Sequence, residues 1–196
     1  MSKKLFIYSS IFLTLIIFTS SFSSVVRDSE NISQKVFRFH ILANSDEEYD
    51  QNLKLTVRDE LLCYSNSLFN SCSNVDEAIL IAKENVSNFN HIAKEVILKN
   101  GYDYSVKTYV TKEYFNTRVY DNYTLPAGLY DSLKVVIGSG EGHNWWCVMF
   151  PAVCLSSSAD DFGDYLNEDE KALIDDKYII KFKAIEIYES IKNKIK

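Results

Sequence analysis

One nine-residue stretch limits the possible folds more than any other: "KVFRFHILA", residues 35–43. Its large apolar side chains recur every second residue. Phe37, Phe39 and Ile41 fall on one side of an extended chain, and Arg38 and His40 on the other. A period of two belongs to a half-buried strand, because successive side chains of a strand point to opposite faces. The next residues, "NSDEE", stop it. Ser45 followed three residues later by Glu48 predicts a capping box, and the acids suit the positive end of a helix. Leu53, Val57, Leu61 and Leu68 continue at helical spacing, which predicts an amphipathic helix to about residue 69.

The same signals organise the rest. Asn74 and Glu77 open a second helix, with Ala78, Ala82, Val86, Phe89, Ala93 and Val96 as its stripe and Asn100-Gly101 as its stop. Strands resume at "YDYSVKTYV", "TRVYDNY" and "SLKVVIG", with turn chemistry at "LPAG" between the last two. "CVMF" reads as strand or helix. "LSSSADDFGD", residues 155–164, reads as a linker, and Asn167 and Glu170 open a last helix striped by Tyr178, Phe182, Ile185, Tyr188, Ile191 and Ile195. A strand, two helices, then strands predicts an α+β fold: a small, mostly antiparallel sheet with two consecutive helices on one face, plus a C-terminal helix.

Residues 5–18, "LFIYSSIFLTLIIF", carry no charge and follow Lys3 and Lys4. A basic start, a short apolar run and a small-residue tail predict a secretory leader, with a membrane anchor as the alternative. Either places the body outside the cytoplasm. The expected organisation is therefore a leader or anchor at 1–26, a globular domain at 27–155, and a linker with a C-terminal helix at 156–196. The net charge of −6 makes nucleic acid a poor partner. An exported chain is allowed disulfides. The four cysteines permit three pairings, of which the sequence-close pairs Cys63/Cys72 and Cys147/Cys154 are the natural guesses.

Chemistry-bearing residues concentrate in "GSGEGHNWWCVMFPAVC", residues 138–154. A helical reading would set His143 beside Cys147 as a nucleophile pair, with Glu141 to orient the histidine, so a secreted cysteine hydrolase is the competing class. A bridge to Cys154 would disarm it. His40, His143 and an acid from Glu141 or Asp46 make a weak metal set, and none is expected. His91, in mid-helix, reads as a surface or boundary residue. "GSGEG" lacks the Gly-Lys-Ser/Thr ending of a phosphate loop, and Glu141 would repel a phosphate, so no cofactor is expected. Trp145 and Trp146 cannot both be buried in a half-covered strand; one is expected in the core and one outward, where a tryptophan anchors a partner.

Three segments together carry a resemblance. "FRFHILANSDEEYDQNLKLTVRDELL" (37–62), "LPAGLYDSLKVVIGSGEGHNWWCVMF" (125–150) and the following "PAVC" resemble the stage II sporulation protein R family of endospore-forming bacteria. The chain has Ala152 where the family pattern often has a second proline. The resemblance implies a signal made in the forespore and exported into the space between the two membranes around it. There it would trigger a membrane-embedded aspartic protease of the mother cell, which removes the pro-sequence of sporulation sigma factor E. The expected role is that of a non-catalytic protease activator. From the residue types, the expected contacts are His143, Asn144, Trp145 and Trp146, with Arg38, His40, Asn44 and Asp46 as a second patch at the strand–helix corner.

Overall fold

The structure, a computed structural model, describes residues 3–120, 123–151, 165–175 and 179–195. It is an α+β fold with a mixed, mostly antiparallel sheet. The chain divides into two compact units that interleave in sequence. One comprises residues 33–115 and 129–167; the other comprises 1–32, 116–128 and 168–196.

The first of these units carries the sheet. Strand β1 (Phe37–Leu42) is central, with β5 (Gly128–Ile137) parallel on one side and β6 (Asn144–Phe150) antiparallel on the other. Strand β2 (Val106–Phe115) adds beyond β5, so the order is β2-β5-β1-β6. Helices α2 (Glu48–Phe69), α3 (Val75–Glu84) and α4 (Val86–Lys99) lie on one face. Between them is the core: Phe37, Phe39 and Ile41 from β1, Leu133, Val135 and Ile137 from β5, and Leu53, Val57, Leu61, Ala78, Ala82, Phe89 and Ala93 from the helices. These are the alternating strand positions and helical stripes that the sequence predicted.

Two local expectations are corrected. The predicted second helix is two. Asn85 (φ −104°, ψ 11°) separates α3 from α4. Its side-chain amide donates to Ile81 O at 2.9 Å and its Oδ1 accepts from Tyr64 Oη at 3.1 Å, so side-chain bonds compete with the helical ladder. The capping box at Ser45 does not form: α2 begins after Glu47, and the Ser45 hydroxyl donates to Asp50 Oδ2 at 2.6 Å instead. The Asn74 cap does form, with Glu77 N donating to Asn74 Oδ1 at 3.0 Å. The Glu77 side chain reaches back one residue further, accepting from Ser73 N at 2.7 Å.

The other unit contains helix α1 (Lys3–Ser33), the short pair β3 (Arg118–Val119) and β4 (Thr124–Leu125), and helices α5 (Glu168–Ile174) and α6 (Ile179–Ile195). The strand expected in "TRVYDNY" is thus only the edge of a two-stranded ribbon, and the helix expected from Asn167 is two described segments. Phe182 and Ile185 of the predicted stripe are buried, whereas Ile191 is exposed. Helix α1 and α6 meet through Phe22 and Tyr188, whose ring centroids are 6.2 Å apart, and through Lys192 Nζ on Glu30. Among the described residues no helix is long and apolar enough to cross a membrane. Phe6, Ile7, Ile11, Phe12, Leu13, Leu15 and Ile16 of α1 are exposed.

Candidate functional site

The strand–helix corner after β1 and the glycine loop before β6 are zipped together. Ser139 N donates to Asn44 Oδ1 at 3.0 Å, and Ser139 Oγ donates to Asn44 O at 2.6 Å. Gly142 N donates to Ala43 O at 3.0 Å, and His143 N donates to Asp46 Oδ1 at 2.6 Å. The glycines permit this approach. Gly138 has φ +60°, and a Cβ there would meet Asn44 Oδ1 at 2.1 Å. At Gly142 a Cβ would meet the Ser45 carbonyl oxygen at 2.2 Å.

Asp46 and His143 also pair through their side chains, Nδ1 against Oδ1. The His143 bond holds the exposed Asp46 carboxyl below its usual range. Beneath them, Lys54 Nζ donates to His143 O at 2.9 Å; burial pushes this ammonium's pKa down, as does Arg58 nearby. Asp50, which no sequence signal marked, is buried under the corner. Burial alone would raise its pKa, but hydrogen bonds from Ser45, Asn44 and Tyr104 win and lower it.

The tryptophans divide as the alternation requires. Trp145 pairs with Ile41 on the helix side of the sheet, but it sits at the rim and stays 37 % exposed. The Arg58 guanidinium of α2 lies over its ring, 4.3 Å from the centroid. Trp146 turns to the opposite face, where its ring packs 4.6 Å from His40 and 5.0 Å from Phe115.

That opposite face is not the displayed patch expected from Arg38 and His40. Both are buried. Arg38 Nε donates to Cys147 O at 3.0 Å, and its guanidinium lies 4.4 Å from the Phe115 ring centroid and 5.1 Å from that of Tyr130. His40 Nδ1 lies 3.0 Å from each oxygen of Glu113, and Nε2 lies 3.0 Å from Asn144 Oδ1. Glu113 accepts further bonds from Ser132 Oγ at 2.6 Å and Lys134 Nζ at 2.9 Å. Burial opposes ionisation there, yet bonds from His40, Ser132 and Lys134 hold the Glu113 carboxyl down to about 2. The eight expected contacts therefore separate. Asn44, Asp46, His143, Asn144 and Trp145 gather at one corner, while Arg38, His40 and Trp146 support the sheet behind it.

The hydrolase pair is not assembled. "CVMF" is part of strand β6, and four residues of extended chain span about 13 Å. His143 is engaged by Asp46, and Cys147 is buried in the core beside Phe39. Cys63 and Cys72 are free thiols, so the 63/72 pairing does not form. Cys154 lies outside the described residues. His91 is exposed on α4, near Glu95. Among the described residues no group of three or more His, Cys, Asp or Glu is placed to hold a metal. Glu141 is exposed on the loop.

No solved structure matches this chain. The family model for stage II sporulation protein R matches residues 33–160, which contain the zipped corner and every strand of the four-stranded sheet. Stage II sporulation protein R of Bacillus subtilis (strain 168) is 31% identical over 160 residues, covering 82% of this chain and 68% of that protein. With a family match across most of its length and a relative this similar, the chain belongs to the stage II sporulation protein R family, a family of sporulation proteins.

Proposed function

We propose that this chain is an exported, non-catalytic signal that activates a membrane-embedded sporulation aspartic protease by direct contact, leading to processing of pro-sigma-E in the mother cell. The contact residues are Asp46, His143, Asn144 and Trp145, with Arg58 beneath the Trp145 ring. The observation that carries this is Trp145 itself: a large aromatic, 37 % exposed, at the rim of a hydrogen-bonded corner. Aromatic anchors of this kind dominate interface energetics, and a corner already ordered loses little entropy on binding. The protease would be switched on because its active arrangement binds this corner better than its inactive one does.

Two further parts belong to the proposal. Residues 1–26 act as a leader or anchor that delivers the domain to the space between forespore and mother cell. Cys147 is bridged to Cys154, the other cysteine of its segment, which would brace β6.

The test is reconstitution. The purified protein is added to the protease in membranes together with the sigma-factor precursor, and cleavage is scored. Wild type is expected to stimulate cleavage and Trp145→Ala to lose most of that stimulation. Full stimulation by folded Trp145→Ala would sink the contact assignment. Absence of stimulation by folded wild type would sink direct activation.

A further inference from the structure

Behind the contact corner, one row of side chains crosses the whole sheet. Glu113 comes from β2, Ser132 and Lys134 from β5, His40 from β1, and Asn144 from the start of β6. The register explains the row. His40 is level with Lys134 on one neighbour and with Trp146 on the other, and all three share a face.

The proton positions follow from the partners. A carboxylate only accepts hydrogen bonds, so His40 Nδ1 beside Glu113 carries a proton. His40 Nε2 faces the side-chain oxygen of Asn144, a second acceptor, an arrangement in which this nitrogen would donate as well. This arrangement fits the imidazolium. A neutral ring would present a lone pair to that oxygen, and Asn144 would have to turn its amide over or swing away. Among the described residues, two other charged groups stand close by. Lys134 shares the Glu113 carboxylate, and Arg38 sits two residues along β1 over Phe115 and Tyr130. Strand β6 contributes Trp146 and Asn144, neither of which ionises. One carboxylate thus holds two cations, and removing its charge leaves Lys134 opposing a proton on His40.

We propose that Glu113 is a positioning residue for the contact corner: it holds His40 doubly protonated, and the second His40 N–H fixes the Asn144 amide and the start of β6 that carries Trp145. This rests on the reading of that corner as the contact surface. It assigns Glu113 a role that reaches the partner only through His40 and Asn144.

The test uses the full chain labelled with 15N, with ring-nitrogen signals of His40 and the side-chain amide of Asn144 followed near neutral pH. Wild type is expected to show both His40 nitrogens protonated. Glu113→Gln is expected to lose one ring proton and to shift the Asn144 amide signals. Cleavage stimulation in the reconstituted system should fall about tenfold in Glu113→Gln, the loss of one charge-assisted bond. Asn144→Ala cuts the row at its exposed end, where folding is not at risk. It should lower stimulation similarly while leaving both His40 protons in place. A singly protonated His40 in wild type, or Asn144 signals unmoved by Glu113→Gln, overturns the relay. Unchanged stimulation in both variants overturns the positioning role even if the signals move. In that case Trp145→Ala separates the two ideas: its failure to stimulate leaves the contact surface standing without the relay, and its full activity removes both.

Discussion

Replacing Glu113 by Gln should cost the protein roughly 3 kcal/mol near neutral pH and should flatten its acid unfolding. The magnitude follows from the site. The carboxyl titrates at about 2 rather than at its ordinary 4.5, because His40, Ser132 and Lys134 all donate to the ionised form. Each unit of depression is worth about 1.4 kcal/mol of preference for the charged state in the folded protein. The Glu113 side chain is only 17 % exposed, so solvent screening removes little of this. The sign is that of a depressed acid. The stabilisation is complete above the unfolded-state value of 4.5 and is lost as pH falls through the folded value of about 2. Gln keeps the volume and resembles the neutral acid, so it models the protonated endpoint at every pH. The assay is urea unfolding of both proteins at a series of pH values. Their stability difference should be roughly 3 kcal/mol near pH 7 and should shrink toward zero at about pH 2. A loss of this size is a sizeable share of the ~5–15 kcal/mol typical of a domain, so it is measurable. A difference that stays constant across the acid range would contradict this account of Glu113, because the bonds would then not depend on the carboxylate charge. So would a difference near zero at pH 7.

Three further outcomes are expected. Trp146→Ala should destabilise by about 3 kcal/mol in urea unfolding, since it empties a site packed by His40 and Phe115, whereas Trp145→Ala should cost no more than about 1 kcal/mol, the worth of its stack on Arg58; equal losses would contradict the division of the pair. In native alkylation followed by mass spectrometry, exposed Cys63 should be modified well before Cys72, which is buried and whose thiol pKa is pushed up by burial; equal rates would refute the assigned environments. Gly138→Ala should lower the melting temperature by an amount equivalent to at least about 1–2 kcal/mol, because φ is +60° and the added Cβ would strike Asn44; an unchanged melt would mean that the corner is looser than its hydrogen bonds indicate.

Particular residues mark how far local pattern reaches. The alternation of Phe37, Phe39 and Ile41 identified a strand and its core face, and the spacing of Leu53, Val57 and Leu61 identified a helix and its buried stripe. Both are periodicities set within a few residues. The break at Asn85 is hidden from periodicity because the apolar stripe runs unbroken through it, and stripe spacing does not register a polar side chain capturing a backbone carbonyl. Ser45 misleads for a related reason. Its hydroxyl has two possible partners, and the choice of Asp50 over the helix N-terminus depends on Asn44, which binds the same carboxylate oxygen while bracing Ser139.

The site divides along the same line. The concentration of His143, Asn144, Trp145 and Trp146 in one short segment was visible, as was the need for one tryptophan to face each way. Nothing local marked Arg58, Lys54, Asp50 or Glu113. Each acts on a residue far away in the chain: Arg58 on Trp145, Lys54 on His143, Asp50 on Tyr104, and Glu113 on His40.

From the sequence alone came the α+β class, the elements of the core and the family to which the segments around 37–62 and 125–150 belong. Those depend on side-chain period and residue order, which are properties of the chain itself. Only the tertiary structure decided that Arg38 and His40 are inside, that Asp46 joins His143, and that Trp145 is the tryptophan left at the surface. The reason is register. With β1 held between β5 and β6, the partner of each residue is set by strand order and by bonds across more than 70 positions of sequence, as in His40 with Glu113.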